Sequence, residues 1–269
     1  MFRSLWSGAS GMNSQQTNMD VVSNNLANVN NSGFNKSRAE FEDLLYANLE
    51  RPRQAMDEGR STPTGVQVGH GSRVSSILKD FEQGALEETN NNLDIAIEGN
   101  GFFVIQDGED GEMYRRSGDF KLDAEGYLVT PDGRRLLDSP EGDEIQVAEE
   151  DDSITQVMIE SDGTVMVETE ADDIEEITQI ELASFINPSG LEARGENNFR
   201  ETTASGEAQA GVPGENGMGS LRQGFLESSN VNVAEEMVNM IKAQRAYEVN
   251  SQSIQTSDEM MGIANNLRA

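Results

Sequence analysis

NNLANVNNSGF, residues 24–34, lays an apolar helical stripe among five asparagines. Met19, Val22, Leu26 and Val29 recur at spacings of three and four, which is one face of an α-helix. Asparagine is a weak helix former because its amide competes for backbone hydrogen bonds. A helix of this composition must draw its stability from packing rather than from propensity. Gly33 and Phe34 supply a stop. With Gly33 in the left-handed C′ position, Phe34 is C″ and Val29 is C3, the pair that touches in a Schellman cap.

Leu5, Met12, Met19 and Leu26 recur every seven residues, so the helix is expected from Ser4 to Asn31. At 1.5 Å per residue it would be about 40 Å long. The far end of the chain repeats the pattern. Val233, Met240, Tyr247, Ile254 and Met261 are again seven apart, joined by Met237 and Ile241. Asn232 suits the N-cap and Glu235 the third helical position, an arrangement like a capping box. Glu235 and Glu236 face the positive end of the helix dipole. This second helix would be about 50 Å long. Matched heptads at both ends predict that the two helices pair as a coiled coil.

Between the helices lie short alternating runs broken by turn residues: LDIAIEGNGFFVIQDG (93–108), EGYLVTPDG (125–133), ITQVMIESDGTVMV (154–167) and ITQIELASFI (177–186). Asn-Gly at 100–101 and Asp-Gly at 107–108, 110–111, 132–133 and 162–163 read as hairpin turns. No helical pattern alternates with the strands, which argues against a parallel α/β sheet. The fold class expected is α+β: long N- and C-terminal helices paired as a coiled coil, with a mainly antiparallel β domain between them. Residues 1–33 and 232–269 would form the coiled-coil core, and 34–65 a linking segment with a long loop. The β-rich outer domain would span 66–226, and 227–231 the return linker.

Composition narrows the function. The chain carries 49 acidic and 19 basic residues, a formal charge of −30. That argues against binding nucleic acid or anionic lipid, since both need a basic surface. From Asp138 to Glu181 there are 17 Asp and Glu and no Lys or Arg, a solvated acidic face with calcium collection as the sharper alternative. The absence of cysteine removes disulfides, thiolate nucleophiles and zinc–thiolate sites. No apolar run is long enough to cross a bilayer. The start, MFRSLWSGASGM, lacks the apolar core of a cleaved secretory signal.

No catalytic, cofactor or metal residues are expected. His70 is the sole histidine and lies in a glycine turn. Gly99-Asn100-Gly101 lacks the third glycine and following helix of a dinucleotide fingerprint, and reads as a hairpin turn. Asp107 to Glu112 bunches carboxylates without EF-hand spacing. A carboxylate pair for glycoside hydrolysis has no aromatic platforms to support it, because the chain has one tryptophan and four tyrosines. Methionines 12, 19, 237, 240, 260 and 261 lie at or beside the helical stripes, where flexible packing is their ordinary role.

Three segments together resemble one family. SLWSGASGMNSQQTNMDVVSNNLANVNNSGFNKSRAEFEDLLY, centred on Asn24, Asn25, Leu26, Ala27, Asn28, Gly33 and Phe34, resembles the N-terminal signature of the bacterial flagellar rod and hook proteins. NNNLDIAIEGNGFFVI with YRRSGDFKLDAEGYLVTPDG resembles their shared β segment. GFLESSNVNVAEEMVNMIKAQRAYEVNSQ resembles their C-terminal signature. The resemblance implies a self-assembling structural subunit whose helices line a hollow tube. It implies as partners further copies of itself, other rod proteins, the hook protein, the surrounding P- and L-ring proteins and the flagellar type III export apparatus. It implies a basal-body location spanning the periplasm, reached without a cleaved signal, and no membrane insertion. The acidic run is heavier than the family pattern.

On this reading the assembly interface comprises Leu5, Met12, Met19, Val22, Asn24, Asn25, Leu26, Asn28 and Val29 of the first helix, with Gly33 and Phe34 as its stop. Asn232, Val233, Met237, Met240, Ile241, Tyr247, Ile254 and Met261 serve in the second. Buried amides fix register at a cost in stability. Helices this rich in Asn, Ser and Gly are expected to fold on assembly, which weak amide-exchange protection of both termini in dilute monomer would register. The loop at 50–65 is expected to stiffen the tube. The alternatives are a short hook-type or other rod paralogue, and a secreted β-domain enzyme acting on polysaccharide.

Overall fold

The computed structural model describes residues 2–50, 65–108, 111–140, 142–147, 154–169 and 174–266. The expected loop at 50–65 falls almost wholly outside the described residues, as do parts of the acidic run. The chain folds as two compact units. The first comprises Met1–Ala27, Ser37–Lys79 and Asn232–Ala269, and the second Asn28–Lys36 and Asp80–Val231. This division differs from the expected boundaries: residues 28–36 join the β-rich unit, and the segment 37–79 joins the helices.

In the first unit, α1 (Phe2–Ala27) has no acidic residue in its first turn and no basic residue in its last, so the dipole gives it no help. It packs against an antiparallel ribbon. Strand β1 (Ser37–Asp43) leads into β2 (Tyr46–Glu50), and β3 (Val66–Gly69) leads into β4 (Ser72–Lys79). β1 pairs with β4 from Ser37↔Lys79 to Asp43↔Ser72, and β2 pairs with β3 from Tyr46↔Gly69. The Leu44 amide donating to Gly71 O at 2.9 Å joins the two pairs into one ribbon. The second helix, α2 (Val233–Asn266), begins where expected. Asn232 Oδ1 accepts from the amides of Ala234 (3.0 Å) and Glu235 (3.3 Å), satisfying two orphan donors of the first turn. Asn232→Ala is expected to destabilise α2 by about 1 kcal/mol; an unchanged urea midpoint would show the cap to be idle.

The expected end of α1 is corrected. The helix stops at Ala27, not Asn31, and residues 28–34 form turns in which Asn31 N donates to Asn28 O and Phe34 N to Asn31 O. Gly33 is in the left-handed region, at φ +67, but its amide donates to Glu227 O at 2.7 Å and makes no Schellman cap. The asparagines win locally because their amides favour turns over a further helical turn.

The second unit is antiparallel throughout its named pairs. Its strands are β5 (Leu86–Glu88), β6 (Ile95–Glu98), β7 (Phe103–Gln106), β8 (Glu112–Arg115), β9 (Lys121–Leu122), β10 (Leu128–Val129), β11 (Ile154–Ile159) and β12 (Thr164–Thr169). They continue with β13 (Ile174–Gln179), β14 (Leu182–Ser184), β15 (Glu192–Gly195), β16 (Asn198–Arg200), β17 (Gln209–Gly211), β18 (Ser220–Gln223) and β19 (Phe225–Glu227). A four-stranded sheet has the order β15-β16-β8-β7, a three-stranded meander runs β11-β12-β13, and the rest pair as β9 with β10, β14 with β17, β18 with β6 and β19 with β5.

The run FFVI explains the core. Successive strand side chains point to opposite faces. Phe103 and Ile105 enter a cluster with Ile95, Ile97, Leu128, Leu136 and Ile180, whereas Phe102 and Val104 enter another with Tyr114, Phe185 and Phe199. Both faces are buried, so the run reads as continuous rather than alternating. In the second cluster Phe102 meets Phe185 and Phe199 edge-on, with centroids 5.8 and 6.1 Å apart.

The Asp-Gly pairs at 107–108 and 162–163 lie in the β7–β8 and β11–β12 hairpins, and Gly108 and Gly163 have positive φ. Asn100-Gly101 does not make a hairpin, and that expectation is corrected. β6 pairs with β18 rather than with its neighbour β7, so the Gly99-Asn100-Gly101 turn passes the chain between sheets. A turn dipeptide reports local backbone conformation, not which strand will pair next.

Candidate functional site

Within the first unit α1 and α2 run antiparallel. Ser4 Oγ and Ser257 Oγ are 3.1 Å apart. A Cβ on Gly11 would meet the Asn250 side chain at 2.7 Å, and one on Gly8 would meet Ile254 at 2.9 Å. At the other end Asn25 Nδ2 donates to Glu236 Oε2 at 3.1 Å. The contacts Ser4–Ser257, Gly11–Asn250 and Asn25–Glu236 share one register, seven or fourteen residues apart on each helix, which places Asn18 opposite the buried Ala243. The seam is a heptad of small and polar side chains.

This changes the expected use of the apolar stripes. In α1, Val22 and Asn25 are buried, Leu5, Met12, Met19 and Leu26 are half-buried, and Asn24 is exposed. Asn28, Val29, Gly33 and Phe34 lie in turns of the second unit, where Phe34 is buried. In α2 the buried residues are Glu236, Ala243 and Ser257. Met240, Ile254 and Met261 are half-buried, and Asn232 is exposed at its cap. Val233, Met237, Ile241 and Tyr247 face outward, with exposures of 42, 53, 55 and 37%, beside exposed Val238, Val249, Met260 and Ile263. Sequence reading took the apolar heptad for the seam. Glu236, Ala243, Asn250 and Ser257 are also seven apart, a signal overshadowed by the bulkier stripe beside it.

Two amides and two buried charges were not singled out for the contacts they make. Asn25, at 1% exposure, is bonded on three sides: besides Glu236, its Nδ2 donates to Ser37 O and its Oδ1 accepts from Ser37 N, both at 2.8 Å. In the second unit Arg116 Nε donates to Glu227 Oε2 at 2.6 Å, with both side chains more than nine-tenths buried. Arg116 also donates to the carbonyls of Gly101 (2.6 Å), Ile97 (3.3 Å) and Gly99. Glu227 Oε1 accepts from Gly84 N at 2.9 Å. The Asn230 side chain bonds to three backbone groups, on Lys36, Asp80 and Glu82.

The second unit offers no catalytic arrangement among its described residues. A cavity of about 310 Å³ is lined by Phe81, Phe102, Phe185, Pro188 and Met218 beside Asn100 and Arg116. Its charged side chain, Arg116, is already engaged. Among the described residues no group of three or more acidic or histidine side chains could hold a metal ion, and no helix is long and apolar enough to cross a membrane. Asp132 is a structural carboxylate between Arg115 (3.2 Å) and Arg134 (2.7 Å). Burial pushes its pKa up, but hydrogen bonds from Thr130 and its own backbone and the two guanidinium charges hold it below its usual value. Its stabilisation is therefore present above the unfolded-state pKa and lost as pH falls through the folded value. The stability gap between wild type and Asp132→Asn should be constant above about pH 5 and shrink below about pH 4. A gap undiminished in acid denaturation curves would refute this.

A chain whose two ends fold together, pair through polar side chains and leave large apolar ones outside defines a subunit class that associates with others. Comparison with known proteins gives the family. Residues 5–34 match the flagella basal body rod protein family, 96–167 the flagellar hook protein FlgE/F/G D1 domain, and 222–267 the flagellar basal body rod FlgEFG protein C-terminal family. The flagellar basal-body rod protein FlgG of Borreliella burgdorferi is 50% identical over 270 residues, covering 100% of this chain and 99% of the relative. Its namesakes in Buchnera aphidicola subsp. Schizaphis graminum and Caulobacter vibrioides are 44% and 42% identical, covering 97% and 99% of this chain and 98% and 100% of theirs. The chain belongs to the flagellar distal rod protein family. It is a structural subunit of the basal body and not an enzyme. Membership implies self-assembly and association with other rod and hook components.

Proposed function

We propose that copies of this chain stack into a hollow helical shaft that carries torque from motor to hook. The shaft spans the periplasm inside the P and L rings, and its subunits arrive through the flagellar type III channel without a cleaved signal. The observation that carries this reading is the division of labour on α2. Its polar heptad faces α1, while Val233, Met237, Ile241 and Val249 are left for other copies. Coiled-coil packing through the apolar heptad is then completed between subunits rather than within one. Leu5, Met12, Met19, Val22, Asn24, Leu26, Met240, Tyr247, Ile254 and Met261 lie on the same helices and contribute to that packing at their exposed edges.

Electron microscopy of the purified protein is the direct test. Straight hollow rods are expected, curved tubes would assign a hook-type role, and persistent monomers at high concentration would count against the proposal. Burial of an isoleucine is worth about 1.5–3 kcal/mol. Ile241→Asp should therefore raise the critical concentration for polymerisation by about tenfold or more. Sedimentation of the variant at the wild-type threshold would contradict the assignment of this face.

A further inference from the structure

The chain passes between its two units four times, at 27/28, 36/37, 79/80 and 231/232. Each unit ties the crossing segments together on its own side. In the second unit one amide does most of this. Asn230 Oδ1 accepts from Lys36 N at 2.8 Å, and its Nδ2 donates to Asp80 O (2.8 Å) and Glu82 O (2.9 Å). The Asp80 amide donates to Lys36 O at 2.9 Å, and the Lys36 ammonium lies 3.4 Å from Asp80 Oδ2. Glu227, three residues before Asn230, receives the Gly33 amide on its backbone oxygen and the Gly84 amide on its carboxylate. In the first unit Asn25 bonds Ser37 in both directions and reaches Glu236 in the first turns of α2, while Ser37 pairs with Lys79. The segments that enter and leave each unit are thus cross-linked within that unit, the 27/28 passage being tied in the second unit through Gly33. Side-chain amides do this where no strand ladder could, because one amide offers two donors and an acceptor to chains meeting at different angles.

We propose that Asn230 and Asn25 act as positioning residues, each bracing its own unit's side of the passages, so that the segments leaving that unit move together when the subunit is twisted. The bracing itself stands on the hydrogen bonds alone; its mechanical purpose rests on the torque-carrying reading above. Bonds made by buried or half-buried amides are worth about 1 kcal/mol each, so removing them loosens the passages without unfolding the strands of β6 to β8.

The test uses the full-length chain. In Asn230→Ala, amide exchange of Lys36 should accelerate about tenfold, while Ile97, Val104 and Tyr114 keep wild-type protection. Lys36→Ala, which removes only the part-exposed ion pair, should leave the backbone amide of residue 36, held by Asn230 Oδ1, protected. Unchanged exchange at Lys36, or equal acceleration across the whole unit, would overturn the bracing. In cells whose rod is built from the variant, rotation should match wild type at low load and fall off at high viscous load. Asn25→Ala, which leaves the second unit untouched, should do the same. A wild-type load–speed curve in both variants would overturn the mechanical role even with faster exchange at Lys36. Failure of the wild-type chain to build rods at all would instead strike the function proposed above and leave the exchange result standing.

Discussion

Replacing Glu227 by glutamine is expected to lower the stability of the β-rich unit by about 3–5 kcal/mol, because the Arg116 guanidinium is then left buried without its counter-charge. The attraction between two charges in a dry interior is large, but it mainly repays their desolvation. The net worth of the pair is therefore small, while the cost of breaking it is not. Arg116→Met should be at least as severe, since the carbonyls of Gly101, Ile97 and Gly99 lose their donor as well. Thermal unfolding followed by calorimetry should show a drop of about 10 °C for a unit of this size. A loss below about 1 kcal/mol in Glu227→Gln would mean that water reaches Arg116 and the pair is not desolvated.

Asn25→Ala is the second large expectation. It deletes three hydrogen bonds and removes one partner from the buried Glu236 carboxylate, for a total of about 3 kcal/mol. Asn30→Ala, at an exposed position of the same asparagine-rich stretch, should change stability by less than about 0.5 kcal/mol. The helical signal at 222 nm during urea denaturation separates the two. Equal losses would show that the asparagines act only through backbone propensity, and that the bonds of Asn25 add nothing.

These contrasts show how far the sequence could be read. The two helices were legible because heptad spacing survives any detail of packing, and the antiparallel β unit because Asp107-Gly108 and Asp162-Gly163 demand tight turns. The doubly buried strand was legible from Phe102 to Ile105, where apolar residues do not alternate. The end of α1 was misjudged because Gly33 carries the same positive φ in a loop as it would in a helix cap. What distinguishes the two is the bond from its amide to Glu227, almost 200 residues away. The side of α2 that meets α1 was misjudged for a related reason. In a structural subunit the bulkiest stripe need not face the chain's own partner helix, and Glu236, Ala243, Asn250 and Ser257 carry no hydrophobic signal. Arg116, Glu227 and Asn230 were out of reach, because a charge or amide in a strand or turn reads as solvated until its neighbours are known.

The antiparallel meeting of α1 and α2 also orders events in time. Ser4 and Ser257 are separated by 253 positions, so the first unit cannot close while either end of the chain is still being made. Residues 80–231 are contiguous and can fold as soon as they emerge, whereas the helical unit waits for both ends. Closing so long a loop is entropically tolerable once its middle has already condensed. An unfinished or truncated chain thus lacks the sticky outer face of α2 in its proper setting. Completeness becomes a condition for presenting that face, and the fold acts as its own quality check.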